Sequence, residues 1–477
     1  MFDLVIDGGT VVLSTGVSVL DVGIRGGKIA ALAVPGTLDS LASKVIDASG
    51  CYVMPGAVDP HVHIFREFQG YLLPHFDVTS VAAAYGGTTT FIDFSTPSPG
   101  MGVLKGLEER RAEIEGKTAI DYSIHAALLD PSAPINEEIR PAIEYGVPSF
   151  KIYTDEKRVT QVFEDSLIFS LFEKIAYEGG VAVVHAENAS LAIWSTKRLL
   201  EEGKTDIQYF PQGRPAICEA ESVKRIIFLA EQSNAAVYFV HLSTREAIES
   251  VAEARAKGLP IYCETCPHYL AFNDEVYLQE EAIQFIRFPP IRDADAQAAL
   301  WRGVIDGTID AIGTDHVALP LSMKRELSAG RPFNKLPGGM GQIENRLILM
   351  YSEGVARGKI TINRLVELVA ANPAKIFGLY PQKGIIAVGS DADIVLLDPK
   401  PKGKITSTEL HMGLDYTVFE GWEVTGSVLM TILKGKVIIK DGQYLGSLSD
   451  GHFVKRRISR GILSRGYLEK GLGVIAK

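Results

Sequence analysis

Short apolar runs rich in β-branched residues recur along the whole chain, and the segments between them differ from region to region. In residues 1–50, and again beyond residue 385, glycine-containing turns such as Asp7-Gly8-Gly9 separate the runs at short intervals. This pattern is typical of a small sheet or sandwich. Neither end supplies enough strands for an independently stable sheet. We therefore predict that residues 1–50 and 385–446 form one β-sandwich domain together.

Between these ends, the apolar runs alternate with helix-like stretches. Eight runs have strand character, namely the run that precedes His61 and those at 88–93, 118–125, 147–153, 180–185, 236–241, 260–264 and 309–315. Helix-like stretches lie between most of them, for example at 165–177, 219–231 and 245–257. Eight strand–helix repeats predict an α/β fold, a (β/α)8 TIM-like barrel over residues 51–384. A doubly wound open sheet is the alternative, but it does not explain why polar residues crowd the ends of so many runs.

Side chains that bind metals or move protons stand at the ends of those runs. They are His61, His63, Lys151, His185, His241 and Asp315. Because His61 and His63 are two residues apart on an extended segment, their imidazoles point the same way. A barrel collects the carboxyl ends of its strands at one mouth. Four histidines and an aspartate at that mouth would ligate two divalent cations.

Lys151 is the unexpected member of this set. An ammonium group has no lone pair and would repel a cation. Carbon dioxide can convert a neutral amine to a carbamate, whose two oxygens can bridge two cations, and burial lowers a lysine's pKa enough to supply the neutral amine. A lysine paired with a carboxylate elsewhere in the chain explains the same position equally well.

Composition narrows the class of partner and compartment. The formal net charge of −10 argues against nucleic acid or an anionic membrane surface as a partner. No run approaches the roughly 18 apolar residues that a membrane span needs, and the N-terminus lacks the basic and apolar regions of a signal peptide. Four cysteines do not make a disulfide scaffold in a chain of 477 residues, and Cys263-Glu-Thr-Cys266 has no second C-x-x-C. We expect a reducing, cytoplasmic setting.

The segments around the six side chains resemble the metal motifs of a known superfamily. They are His61-Val-His63, Ser149-Phe-Lys151, Val184-His185-Ala-Glu-Asn188, Val240-His241-Leu-Ser243 and Gly313-Thr-Asp315-His316. The motifs are similar to those of the amidohydrolase superfamily, in its cyclic-amidase branch of dihydropyrimidinases (hydantoinases), allantoinases and dihydroorotases. Further similar segments at 288–292, 343–346, 372–384, 389–393, 415–421 and 451–456 extend the resemblance over nearly the whole chain and favour the hydantoinases.

This resemblance implies a ligand set and a reaction. His61 and His63 would hold a more buried metal ion, and His185 and His241 a more exposed one. N6-carboxylated Lys151 and a hydroxide would bridge the two ions. The hydroxide would open a cyclic amide to an N-carbamoyl amino acid. We expect two divalent ions, with Zn²⁺ as the working choice, although the ligands suit manganese or cobalt equally.

Asp315 has two roles in the resemblance. It would touch the buried ion, and it would move a proton from the attacking hydroxide to the departing ring nitrogen. His316 and His268 are expected nearby without ligating.

The chain departs from the hydantoinase pattern where substrate is bound. The Tyr that usually stabilises the oxyanion, five residues after the lysine, is Glu156 here, and Tyr153 is the nearest phenol. Hydantoinases also bind the imide of the substrate ring through backbone groups of a Ser-Pro-Pro and a Pro-Asn-Gly segment. This chain has Phe288-Pro-Pro and Pro337-Gly-Gly339 at those places. We therefore take Tyr153, Phe288 and Gly338 as candidate substrate-binding residues.

Arg66 and its loop are further candidates. Dihydroorotases bind a carboxylate through an Arg directly after His-x-His-x, where this chain has Phe65 followed by Arg66. Arg66 is thus a candidate for an anionic substituent, and a solvated surface arginine is the equal alternative. The aromatic loop at 65–74 suggests a lid for a bulky apolar or aromatic substituent, although packing on a neighbouring subunit would explain it nearly as well.

Three functions follow, in order of preference. The first is a hydrolase of hydantoin or dihydropyrimidine rings. Its partner would be a small-molecule substrate, and we expect neither nucleic acid nor a membrane as a binding partner. An allantoinase or another cyclic-imide hydrolase is second. A non-catalytic dihydropyrimidinase-like assembly protein is third. Such proteins have lost metal ligands, whereas all six ligand positions are intact here. The resemblance also implies a homo-oligomer, a dimer or tetramer, with residues 447–477 as an oligomerisation tail.

Overall fold

The N-terminal strands enter one sheet before the chain passes into the barrel. The computed structural model describes residues 1–130, 135–155 and 163–464. The first strands are β1 (Leu4–Leu13), β2 (Gly16–Arg25), β3 (Lys28–Ala33), β4 (Val45–Asp47) and β5 (Tyr52–Pro55). Strand β5 pairs in parallel with β1. The first part of the apolar run before His61 therefore belongs to the terminal sheet. This sheet takes in residues up to Pro55, five residues past the predicted boundary at residue 50.

The chain changes sheets at Gly56. Its N–H donates to Asp393 of the terminal sheet, and the next N–H, of Ala57, donates to Gly87 of the barrel. A Cβ at Gly56 would lie 2.1 Å from the hydroxyl oxygen of Thr89. Only glycine lets the strand pass this close, so one predicted strand is divided into β5 and a barrel strand.

Eight parallel strands form the barrel sheet, in the order β15-β14-β13-β12-β11-β10-β9-β6. The next strands along the chain are β6 (Ala57–Asp59), the hairpin strands β7 (Glu67–Phe68) and β8 (Tyr71–Leu72), then β9 (Thr88–Phe94), β10 (Asp121–Ala127), β11 (Ser149–Tyr153), β12 (Val181–His185), β13 (Val237–Phe239), β14 (Ile261–Thr265) and β15 (Ala311–Ile312). Each of the seven predicted runs after His61 overlaps one of these strands, and the predicted barrel is confirmed.

Helices follow most barrel strands and cover the outside of the sheet. They are α1 (Phe76–Tyr85), α2 (Val103–Ile114), α3 (Ile135–Tyr145), α4 (Asp165–Glu178), α5 (Ala189–Glu201), α6 (Phe210–Gly213), α7 (Ala216–Ser233), α8 (Arg245–Ala256), α9 (Pro267–Ala271), α10 (Ala294–Asp306), α11 (Leu321–Ser328), α12 (Arg346–Met350), α13 (Ile362–Val366), α14 (Asn372–Ile376) and α15 (Arg460–Leu463). Wider π-helical turns follow α12 and α13. No helix in the described ranges is long and apolar enough to cross a membrane.

The C-terminal strands complete the first sheet. They are β16 (Ile394–Lys404), β17 (Glu423–Leu433), β18 (Lys436–Lys440) and β19 (Gln443–Tyr444). Because β16 pairs antiparallel with β5, both termini build one nine-stranded sheet, as the sequence predicted. A buried ion cluster ties this sheet to the barrel. Its centre is the Lys383 ammonium, 2.7 Å from Asp121 and 2.6 Å from Asp393.

The described part of the tail packs against its own barrel. Val454, Ile458 and Ile462 are buried in a core cluster with barrel residues that include Val181. Arg456 donates to Ser149 on β11. Val454, Ile458 and Ile462 therefore belong to this chain's own core, the assignment of residues 447–477 to subunit contacts stays a prediction, and residues 465–477 lie outside the described residues.

Candidate active site

The seam that closes the barrel carries three of the predicted ligands. Just beyond β6 and β15, the Asp315 N–H donates to the carbonyl of His61, and the His63 N–H donates to the carbonyl of His316. The His61 and His63 side chains point the same way, with their Nε2 atoms 3.2 Å apart. Asp315 Oδ1 lies 3.2 Å from His61 Nε2 and 3.3 Å from His63 Nε2. Two imidazoles and a carboxylate thus converge on one point.

A second imidazole pair lies beside the first. His185 ends β12 and His241 follows β13, and His185 Nδ1 is 2.9 Å from His241 Nε2. His241 and Asp315 have φ angles of 41° and 47°. Non-glycine residues seldom adopt this left-handed conformation, and such strain is concentrated at functional sites. It turns the His241 and Asp315 side chains out of the strand pattern, toward the shared cavity.

Lys151 lines the same cavity as the two imidazole pairs. It stands on β11, and its side chain is 1% exposed. Its Nζ is 5.3 Å from the ring centre of Phe94 and 4.9 Å from that of Tyr153. The cavity that these groups share is lined by His63, Lys151, Tyr153, Asp155, His185, His241, Arg287, Phe288, Asp315, Val317, Gly338 and Gly339.

Glu264 fixes the orientation of His61. It stands on β14, and its Oε1 is 2.5 Å from His61 Nδ1, so that His61 Nε2 faces the cavity. The Tyr238 hydroxyl donates to the other carboxyl oxygen at 2.7 Å. Burial raises the pKa of Glu264 to about 8 and lowers the pKa of His61 to about 3. His61 is therefore neutral, as a metal ligand must be. Nothing in the sequence around Glu264 signals this contact with His61.

An ionic network holds the outer imidazole pair. His185 Nε2 lies 2.9 Å from Glu187 Oε2, and Arg214 donates to Glu187 and to Asp155. Although burial opposes it, the Arg214 cation keeps the pKa of Glu187 below its usual range. Glu187 stands two residues after His185, a spacing that signals a shared side of the chain. No comparable local signal marks Arg214.

Arg287 is the least expected residue of the cavity. Its Nη2 donates to the carbonyl oxygen of Asp315 and forms an ion pair with the Asp315 carboxylate. Although burial opposes it, the Arg287 guanidinium holds the pKa of Asp315 well below its usual range. The pairing fixes the Asp315 backbone and one carboxylate oxygen, and it leaves Oδ1 facing His61 and His63.

The candidate substrate residues have different outcomes. Tyr153, Phe288 and Gly338 line the cavity. Arg66 is exposed and does not line it, because the chain leaves the barrel after Ile64 and turns outward into the β7–β8 hairpin. Glu156 lies outside the described residues. The position of Arg66 fits the alternative of a solvated surface arginine.

His316 and His268 are near the site without facing the ligand pairs. His316 Nδ1 accepts the N–H of Gln342, and His268 Nδ1 lies 2.7 Å from the Gln342 side chain. Both histidines therefore position the loop that carries Gly338 and Gly339, which agrees with the predicted supporting role.

The donor set fits divalent metal ions. His61, His241 and Asp315 offer ligand atoms that all lie within 4.8 Å of one another. Burial, followed by the charge of His185, lowers the pKa of His241 well below its usual value, so this imidazole also has a lone pair to donate. Imidazole nitrogens and carboxylate oxygens suit zinc and its neighbours in the first transition row.

Comparisons with known proteins agree with this geometry. The model of the amidohydrolase family matches residues 52–438. The D-hydantoinase of Geobacillus stearothermophilus is 38% identical over 456 residues, covering 94% of this chain and 96% of its own. The D-hydantoinase of Ralstonia pickettii is 37% identical, covering 95% and 99%. The crystal structure of dihydropyrimidinase from Brevibacillus agri NCHU1002 superimposes with a TM-score of 0.91 at 36% identity, covering 96% and 99%.

The family match spans most of the chain, and the relatives and the solved structure are similar to it over nearly their whole length. Members of this family are metal-dependent hydrolases, in agreement with the convergent imidazoles and carboxylate of the cavity. The chain belongs to the amidohydrolase family.

Proposed function

We propose that this protein hydrolyses a cyclic amide of the hydantoin or dihydropyrimidine type to an N-carbamoyl amino acid. The observation that carries the proposal is the convergence of two imidazole pairs, Lys151 and Asp315 on one cavity. The named hydantoinase relatives, similar over nearly their whole length, indicate which amides to test first.

The six side chains named from the sequence hold two Zn²⁺ ions in this proposal. His61, His63 and Asp315 would hold one divalent ion, His185 and His241 would hold the other, and Lys151, as its carbamate, would contribute oxygens to both. Two such ions would supply a water of lowered pKa and a polarised amide carbonyl. The 1% exposure of Lys151 supports carboxylation, because burial favours the neutral amine that reacts with carbon dioxide.

Asp315 moves the proton in this proposal. Its carboxylate faces the cavity, and the Arg287 pair keeps it ionised and therefore able to accept a proton from the attacking water. Once protonated, it can donate to the nitrogen that leaves when the ring opens, because one carboxyl group can serve first as base and then as acid.

The β7–β8 hairpin supplies an apolar wall. Phe65, Phe68 and Tyr71 pack against a cluster that includes Val317, which also lines the cavity. The Phe65 ring stacks on His63 at 5.9 Å. The hairpin thus packs on its own chain and offers an apolar surface near the ligands, which supports the interpretation of residues 65–74 as a cover for an apolar substituent.

Turnover of a substrate panel tests this function. We expect the zinc-loaded protein to open hydantoin, 5-substituted hydantoins or dihydrouracil faster than allantoin, and to lose at least about 10³-fold in rate when a chelator removes the ions. Product is measured as the N-carbamoyl amino acid. Hydrolysis of allantoin alone would make the protein an allantoinase, and turnover of no member of the panel would contradict the assignment.

A homo-oligomer and a cytoplasmic location complete the proposal. Trp194 on α5 and Phe228 on α7 are 58% and 61% exposed, and exposed aromatic groups of this size are typical of subunit contacts. All four cysteines are free thiols, which suits a reducing compartment. We expect a tetramer by analytical ultracentrifugation, and a monomer at micromolar concentration would contradict it.

A further inference from the structure

Phe288 lies between two spaces of very different size. On one side is the catalytic cavity, of about 30 Å³. On the other is an apolar groove of about 580 Å³, whose lining includes Leu200, Phe210 and Phe333. Phe288 lines both spaces. The Phe288 ring is therefore placed to limit how much space a substrate ring can use beside the ligands.

The ring of Phe288 is held in this position by its neighbours. Phe210 meets it edge to face with ring centres 5.5 Å apart, and the Arg214 guanidinium lies 5.1 Å from its centre. Arg214 is itself fixed by Glu187 and Asp155. The ring is thus tied to the network that orients His185, so its position is coupled to the catalytic groups.

Gly338 is matched to Phe288. A Cβ on Gly338 would lie 2.7 Å from Cε2 of the Phe288 ring, inside van der Waals contact. The loop cannot retreat, because the Gly339 N–H donates to the carbonyl of Ile286 at 3.0 Å. The φ angle of Gly338 is not positive, in contrast to that of Gly339. The need for glycine at 338 is therefore steric and comes from the aromatic ring.

We propose that Phe288 is the ring-size determinant of this site and that Gly338 is the residue that makes room for it. The inference rests on the proposed function and deepens it. Because Phe288 and Gly338 line the same cavity as the ligand side chains, a cyclic amide bound at the ligands would lie beside them. We accordingly expect the site to favour the five-membered cyclic amide over the six-membered one, whose additional methylene would approach the phenyl group.

The test compares kcat/KM for hydantoin and for dihydrouracil. One methylene in a tight pocket changes selectivity by about 10–200-fold, so we expect the native protein to prefer hydantoin by at least about 10-fold. Phe288→Ala is expected to lower that ratio by at least about 10-fold, with Phe288→Leu between the two. Phe333→Leu, at a buried position that lines only the groove, is the volume control and is expected to leave the ratio unchanged.

A double-variant cycle supplies a readout that does not need activity. Gly338→Ala is expected to lower the melting temperature by roughly 2–4 °C in the native background, because the added methyl group overpacks the ring. In the Phe288→Ala background the same change is expected to lower it by less than about 1 °C. Equal losses in both backgrounds would overturn the pairing of Gly338 with Phe288.

The two assays separate this inference from the proposed function. A hydantoin preference that Phe288→Ala leaves within about 2-fold of its native value would overturn the ring-size role. A native preference for dihydrouracil would overturn it as well. Failure of metal-loaded native protein to open either ring would instead overturn the proposed function, and this inference with it, whatever the melting temperatures show.

Discussion

Lys151→Ala is expected to reduce kcat/KM by at least about 10³-fold, because losing the bridge between the cations removes several kcal/mol of transition-state stabilisation. The lysine lies on β11 with its amine next to the rings of Phe94 and Tyr153, and it lines the same cavity as the imidazole pairs. Metal analysis of the variant is expected to show less than the native content.

Rescue distinguishes a bridging anion from a structural lysine. The alanine variant leaves a space about the length of a lysine side chain, and a short carboxylic acid added with the metal can place two oxygens there. We expect such an acid to restore part of the activity of Lys151→Ala. The matched control is Lys174→Ala on α4, where the lysine forms a partly exposed i,i+4 pair with Glu178. We expect this variant to keep the native activity and the added acid to leave that activity unchanged.

Carbon dioxide supplies an independent readout. Metal-depleted native protein, reloaded in buffer freed of carbon dioxide, is expected to regain activity only when bicarbonate is added, because the carbamate cannot form without it. Full activity in Lys151→Ala, or reactivation that ignores bicarbonate, would refute the bridging role. Either result would favour the alternative in which Lys151 remains an ammonium group.

The ligand residues near strand ends could be predicted from the sequence, because a barrel places the carboxyl ends of all its strands at one face. His61, Lys151, His185 and Asp315 each end or closely follow an apolar run, and the parallel sheet brings the carboxyl ends of all such runs to one mouth. The same argument predicted that the two termini share a sheet, since neither had enough strands alone.

Residues that act across the barrel could not be predicted in this way. Arg287 and Glu264 contact the ligands Asp315 and His61, which are distant along the chain, and nothing in their local pattern marks that contact. Arg214 acts one step further away, through Glu187 beside His185. Arg66 shows the opposite case. It stands close to a ligand in sequence, but the chain turns outward after Ile64 and carries its side chain into solvent.

The division of one apolar run into β5 and β6 was missed for a similar reason. In the sequence, Gly56 is one glycine within an apolar run and gives no sign that the strand divides there. The structure shows that the hydroxyl of Thr89 leaves no space for a side chain at this position. Close approach between segments that are distant in sequence decides such details, and a single sequence does not record it.

Asp315→Asn is expected to lower kcat by about 10²–10⁴-fold, the range for removing a general acid–base group. An amide has nearly the same shape but cannot take the proton of the attacking water. The substitution also leaves the buried Arg287 cation without its carboxylate partner. Breaking a buried ion pair costs about 3–5 kcal/mol of stability, so lost activity alone would not distinguish chemistry from unfolding.

A second substitution separates the two effects. Arg287→Met removes the unpaired cation with a side chain of similar length, and replacing both partners of a buried pair by groups that leave no charge is often close to neutral. We expect the Asp315→Asn/Arg287→Met double variant to recover most of the lost melting temperature and none of the lost kcat. Recovery of activity together with stability would show that Asp315 serves the fold through Arg287 and that the proton is moved by another group.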